Sequence, residues 1–320
     1  KLWSEGADML RDAGAEIDDI SLPHPEEWEL SHNALSLCSK KVRLCLAELG
    51  VDYRGHHVDL IETGRYENIG RDFLGVNPAG LVPVLVHRGH PVYESHEQIA
   101  YAARCADSSV HLVPEDADAR TRMQRWVDAA SLIGDDPTGD LDRSAGNCVP
   151  GLTVPLFAAM VVDIPYWRIA EGVLFHRLKQ RPLMFAAMKA AGLQRIAGVG
   201  KAAAVVRASR DRMHRHLDDL ESELASGGGP WIVGDFYSLA DVSWTVIFER
   251  IAEAEWSDCY FDGSRPRVDA YWRRLRERGS YAAAISAFGH QAIVRGRERI
   301  VAARRQVPAL EELYRSHTSG

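Results

Sequence analysis

The chain has 320 residues and a formal net charge of −7. That length supports a sizeable core and about two domains. The acidic balance gives no electrostatic reason to expect nucleic acid, and the apolar and charged fractions of 46% and 26% are those of a globular protein. The five cysteines, Cys38, Cys45, Cys105, Cys148 and Cys259, are scattered and form no C-x-x-C. This argues against a disulfide scaffold and a structural zinc site, and makes a reducing, cytoplasmic setting the expectation. The longest apolar run, about 152–162, is broken by Asp163 and Pro165. It is shorter than the ~20 residues a membrane span needs.

Residues 1–26 read as an extension. Leu10–Ala15 reads as a helix end and Glu16–Pro23 alternates like a strand. This piece resembles a short segment of amidase-family enzymes, without a catalytic motif. Residues 27–107 read as strand, helix, strand, helix, hairpin and helix. Trp28 to His32 alternates apolar and polar residues. Val42, Cys45, Leu46 and Leu49 then fall at helical spacing, and Gly50 stops that helix. Ser36, Cys38 and Ser39 therefore lie at a helix start, where free N–H groups and the dipole favour an anion such as a thiolate. Lys40, Lys41 and Arg43 add to the local positive field. An ordinary N-cap at Ser36 and a small apolar Cys38 also fit this segment.

Tyr53–Leu60 reads as a strand and Glu62–Leu74 as a weak helix. Asn77-Pro78-Ala79-Gly80-Leu81-Val82-Pro83-Val84-Leu85 follows, with a proline at a sheet edge or special turn and a cis Val82–Pro83 bond as one option. Ser95 with Gln98 reads as a capping box, with Ser95 also placed to hold a ligand carboxylate. Residues 108–118 form a linker. Residues 119–320 read as helical, with an inserted apolar segment at about 135–200 and a basic C-terminal helix over 290–316. Asp135–Pro150 reads as a loop, and Ser238 with Asp241 as a cap before a buried helix. No spacing selects a metal site.

Asn77–Leu85, then Glu94-Ser95, then Gly234-Asp235-Phe236-Tyr237-Ser238-Leu239-Ala240-Asp241, in this order, resemble glutathione transferases over about residues 28–290. The resemblance implies an α+β protein: an N-terminal thioredoxin-like domain and a C-terminal all-helical domain. It implies glutathione as co-substrate and a small hydrophobic, aromatic electrophile as partner. It also implies a homodimer, with no nucleic acid and no membrane span. Ser36 and Cys38 become the catalytic candidates, and Ser39, Lys41, Leu81, Val82, Pro83, Glu94 and Ser95 the glutathione-binding ones. Val82 would pair its backbone with the cysteinyl part, and Glu94 and Ser95 would hold the γ-glutamyl end. Leu81 departs from the polar or basic residue many members carry near the glycyl carboxylate.

The pattern S-x-C-S-x-K-x-R at Ser36–Arg43 resembles the branch that reductively dehalogenates chlorinated hydroquinones. That implies a hydroxyl role for Ser36 and a redox role for Cys38. The same region and the turn Asp262–Pro266 also resemble the ganglioside-induced differentiation-associated protein family, which implies glutathione binding with little turnover. The acceptor pocket is expected along the Ala/Met/Phe-rich segment 151–190.

Overall fold

The computed structural model describes residues 20–134, 136–176, 179–196 and 200–315. Most of the expected extension lies outside the described residues. Two compact units emerge: one runs to Arg120 and includes Arg278–Gly289, and the other comprises Thr121–Glu277 and the chain from His290 on. The 278–289 segment, read from sequence as part of the helical domain, thus belongs with the first unit.

The first unit is built on a four-stranded sheet of order β2-β1-β3-β4: β1 Trp28–His32, β2 Arg54–His57, β3 Val84–His87 and β4 His90–Val92. β2 runs parallel to β1, whereas β3 is antiparallel to both β1 and β4. β1 is buried along its whole length, as a central strand covered on both faces must be. Val84 and Val86 pack with Val58 and Phe73 on one face. Helix α1, Leu37–Leu49, ends on Gly50 in the left-handed region at φ 68°, as the spacing predicts.

The expected helix over 62–74 is not continuous. Two 3-10 turns, Ile61–Thr63 and Glu67–Ile69, precede a short α2, Arg71–Val76. Side chains hold this segment to distant backbone: Glu67 accepts from the Asp59 N–H and Asn68 donates to the Gly80 carbonyl. The strand after Tyr53 is also shorter than expected. Helix α3, Ser95–Cys105, closes the motif and packs on α1.

The 278–289 segment is fastened to α1 by buried polar contacts. Arg43 is fully buried, donates from Nε to Ala284 O at 2.8 Å and from Nη1 to Asn33 O at 3.1 Å, and lies 4.3 Å from the Phe288 ring centroid. The Arg278 guanidinium grips the Glu48 carboxylate at 2.6 and 2.5 Å. His32 stands edge-on to Phe288 and places Nδ1 3.3 Å from Arg43 Nη1.

Helix α4, Ala117–Ala129, leads into the second unit. Its core helix α5, Ala145–Met160, starts earlier than the expected loop allows. Ser144 caps it by accepting from Asn147 N–H, and Pro150 and Pro155 sit inside it. Two glycines permit close packing. A Cβ on Gly151 would lie 2.0 Å from Ser209 Oγ, and one on Gly146 2.2 Å from Ser131 O. With the turn to Asp163 this helix is long and apolar enough to cross a bilayer, but 78% of that stretch is buried inside the structure, so it is a core helix.

Next come α6 Tyr166–Phe175, α7 Gln180–Ile196 with a kink at Gly192, and α8 Lys201–Ser226. They are followed by α9 Leu239–Glu253, α10 Ser257–Tyr260 and α11 Pro266–Glu277. In the first unit's segment, α12 spans Gly279–Ala284. The expected basic C-terminal helix is two, α13 Gln291–Gln306 and α14 Pro308–Tyr314, divided before Pro308. One face is buried through Ile293, Ile300, Leu310 and Tyr314, and Tyr314 stacks on Trp256 at 3.9 Å.

The Ser238 cap forms as expected. Asp241 Oδ2 accepts from the Ser238 N–H and O–H, and Oδ1 accepts from Ile232 N–H at 3.1 Å and Tyr271 O–H at 2.7 Å. Asp241→Ala strands these buried donors at about 1–3 kcal/mol each. Urea unfolding is expected to show a loss of at least about 3 kcal/mol.

Burial, then the Arg43 charge, then His57 and His56, hold the His32 imidazole down at about 3 from its ordinary 6.5. The ring stays neutral when folded but protonates below 6.5 when unfolded. Stability is therefore full above that pH and is lost as pH falls toward 3, at about 1.4 kcal/mol per unit. In pH-dependent urea titrations, His32→Gln is expected to flatten this slope; an unchanged slope would mean the ring is charged in the folded chain.

Candidate functional site

Three chain segments meet the same end of the sheet. β1 and β3 are antiparallel with Ser31 opposite Val84, so the exit of β1 lies beside the entry of β3. β4 pairs Val92 with Leu85, so its exit toward α3 lies at that end too. The Ser36 turn, the Val82–Pro83 turn and the start of α3 therefore occupy one edge.

At the first segment Ser36 is the N-cap of α1 and accepts from the Ser39 N–H at 3.2 Å. Its own hydroxyl proton has no acceptor among the described residues. Cys38 is exposed in the first turn of the helix and is a free thiol. The other cysteines differ. Cys45, Cys148 and Cys259 are buried, and burial pushes their thiols up, to about 12 for the latter two. Cys105 is exposed at the far end of α3.

Ser39 and Lys41 sit differently from the ligand-facing roles expected of them. Ser39 is fully buried, and its Oγ accepts from the Asn33 N–H. Lys41 is buried as well. Burial draws its ammonium down. Lys41 thus presents no ammonium at the surface.

At the second segment the Val82–Pro83 bond is cis. The residues around Val82 are tied down: Asn77 Nδ2 donates to Leu81 O and Gln98 Nε2 donates to Pro83 O. Val82 itself is half-buried, and among the described residues its N–H and C=O have no partner. An unpaired peptide unit beside a strand can accept strand-like pairing. Leu81 brings no charge.

At the third segment the capping box expected from Ser95 and Gln98 does not form. Ser95 is the first helical residue, and Glu94, at φ 62°, holds the N-cap position without a side-chain bond. Gln98 is instead consumed by two carbonyls, Pro83 O and Val92 O. Its full burial binds the cis-proline turn to α3. A left-handed glutamate is an uncommon, costly conformation that marks functional sites. It leaves the Glu94 carboxylate exposed and the Ser95 hydroxyl without a partner among the described residues. A carboxylate beside a helix N-terminus can hold an ammonium and a carboxylate together.

Sequence reasoning missed three residues that build this edge. Asn33, Arg43 and Gln98 are all buried and each joins chain segments remote in sequence. Arg43 was read only as charge near the helix start. Its long side chain and planar donors instead hold two backbone carbonyls.

Residues 35–105 match the family model of the glutathione S-transferase N-terminal domain. The chain is 28% identical over 260 residues to the glutathione S-transferase TCHQD of Arabidopsis thaliana, covering 81% of this chain and 90% of that protein. It is 28% identical over 262 residues to the tetrachloro-p-hydroquinone reductive dehalogenase of Sphingobium chlorophenolicum, covering 81% and 95%. In structure it is similar to the β-etherase LigF of Sphingobium sp. strain SYK-6, with a TM-score of 0.64 at 19% identity, covering 82% of this chain and all of that one. The fold is α+β, a thioredoxin-like domain followed by a helical one, and residues 35–105 carry the glutathione S-transferase N-terminal domain of the relatives the chain resembles.

Proposed function

We propose that this protein is a glutathione-dependent transferase acting on a hydrophobic, aromatic electrophile. The supporting observation is the sheet edge at which a helix cap, an unpaired Val82 peptide and a left-handed Glu94 before Ser95 come together. This set fits glutathione. Val82 would pair with the cysteinyl main chain, while Glu94 and the start of α3 would take the γ-glutamyl ammonium and carboxylate. The uncommitted Ser36 proton would be donated to the thiolate. One such bond to an anion contributes about 1.5–3 kcal/mol, or about one to two pKa units for the glutathione thiol. The thiolate then attacks the electrophilic carbon, the S–C bond forms, and the leaving group departs with its electron pair.

The exposed Cys38 favours a second reading, reductive dehalogenation or thiol exchange, the former being the activity named for the Sphingobium relative. The Cys38 thiolate would attack the sulfur of a glutathionylated ring. The C–S pair would pass to the ring carbon, which takes a proton, leaving a mixed disulfide on Cys38. A second glutathione would resolve it, releasing oxidised glutathione and restoring the thiol.

Ser36→Ala is expected to lower kcat/KM for an aryl halide by about tenfold to hundredfold, the loss of one charge-assisted bond. Cys38→Ala separates the readings by mass spectrometry of the product. Accumulated glutathionylated ring, where the native protein releases reduced ring, supports the Cys38 route. Bound glutathione without turnover of any electrophile would instead indicate a binding protein, and no calorimetric binding would overturn both enzyme readings. A homodimer is proposed with either reading, and a monomer by light scattering would contradict it.

A further inference from the structure

We propose that the outward faces of α6 and α7 dock this protein on an anionic lipid bilayer surface. Among the described residues, seven of the eleven large hydrophobic side chains left exposed fall between Val162 and Met184. Tyr166, Trp167, Leu174 and Phe175 are each 61–70% exposed. The spacing is helical. Trp167, Ala170 and Leu174 share one stripe of α6, while Ile169 and Gly172 of the same helix are buried. On α7, Leu183, Ala187 and Ala190 form an outward stripe, with Met184 beside it, and Phe185 and Met188 face inward. The two helices pack on each other, and Phe185 meets Phe157 of α5 at 5.8 Å. The platform is therefore a packed element with a second apolar face, where a water-facing helix carries polar residues.

Charge identifies what covers that face. Residues 162–195 hold six Lys or Arg against two Asp or Glu, in a chain whose net charge is −7. The cations lie beside the apolar groups. Arg168 sits 4.1 Å from the Trp167 ring, Lys189 5.1 Å from the Tyr166 ring, and the exposed Lys179 donates to Leu174 O. Aromatic rings with basic neighbours match the boundary between acyl chains and anionic headgroups. A second copy of the chain fits less well, because a two-fold contact sets the same basic patch against itself. The 10-residue α6 spans about 15 Å, half a bilayer core, so the helix lies on the surface and does not cross it.

Flotation of the whole protein with phosphatidylcholine vesicles, with and without phosphatidylglycerol, tests this. Binding is expected only with phosphatidylglycerol, weakening with salt. Lys179→Gln is expected to weaken it about fivefold. Trp167→Glu with Leu174→Glu is expected to abolish it, with the fold checked by circular dichroism. Should that double variant unfold, Trp167→Phe carries the test, because it should lose the part of the tryptophan emission that brominated lipid quenches. Absent flotation, equal binding to vesicles without phosphatidylglycerol, quenching unchanged by Trp167→Phe, or a dimer that only the patch variants dissociate would each overturn the proposal.

Discussion

The candidate site depends on Asn33, the residue at which β1 turns toward α1. It is fully buried and every polar group it owns is engaged. Its N–H donates to Ser39 Oγ, and its carbonyl accepts from Arg43. Its Nδ2 donates to Val58 O and Thr63 Oγ1, both at 2.9 Å, and its Oδ1 accepts from Leu35 N–H and Ser36 N–H. A buried amide with unmet partners costs several kcal/mol, so this set specifies one conformation of the turn. That conformation places Ser36 at the N-cap and Cys38 on the open side of the first helical turn. Ser39 is drawn inward by the same network, which is why it offers no surface hydroxyl.

Gln98 does for the other half of the edge what Asn33 does for the first. By donating to Pro83 O and Val92 O it joins the turn before β3 to the start of α3. Val82 between them keeps its peptide groups available, and Glu94 takes the left-handed backbone needed to begin the helix there. Burial then sorts the thiols: it holds Cys45, Cys148 and Cys259 in the neutral form, while Cys38 is exposed in the first turn of α1.

Features encoded by neighbours in sequence were legible without a structure. The Ser36 start and Gly50 stop of α1, the turn before β3 and the Ser238–Asp241 cap each follow from a few adjacent residues whose preferences agree. The features that were misread are settled by distant partners. Ser95-x-x-Gln98 has the spacing of a capping box, yet the amide is spent on carbonyls of two other segments. Pro150 ends the expected loop, but glycine-mediated packing around α5 keeps the chain helical through it, as it does through Pro155. Nothing local to residues 278–289 reveals that Arg43 and Glu48 hold them to the first unit. The outward apolar faces of α6 and α7 were legible as composition, whereas their exposure was not.

The central claim is that glutathione lies along this edge with its sulfur at Ser36. A crystal structure of the protein with glutathione bound tests it most directly. The expected result places the sulfur within about 3.5 Å of Ser36 Oγ. It also sets the cysteinyl main chain against Val82 and the γ-glutamyl end at Glu94 and Ser95. Glutathione bound elsewhere, or along this edge with its sulfur away from Ser36, would contradict it.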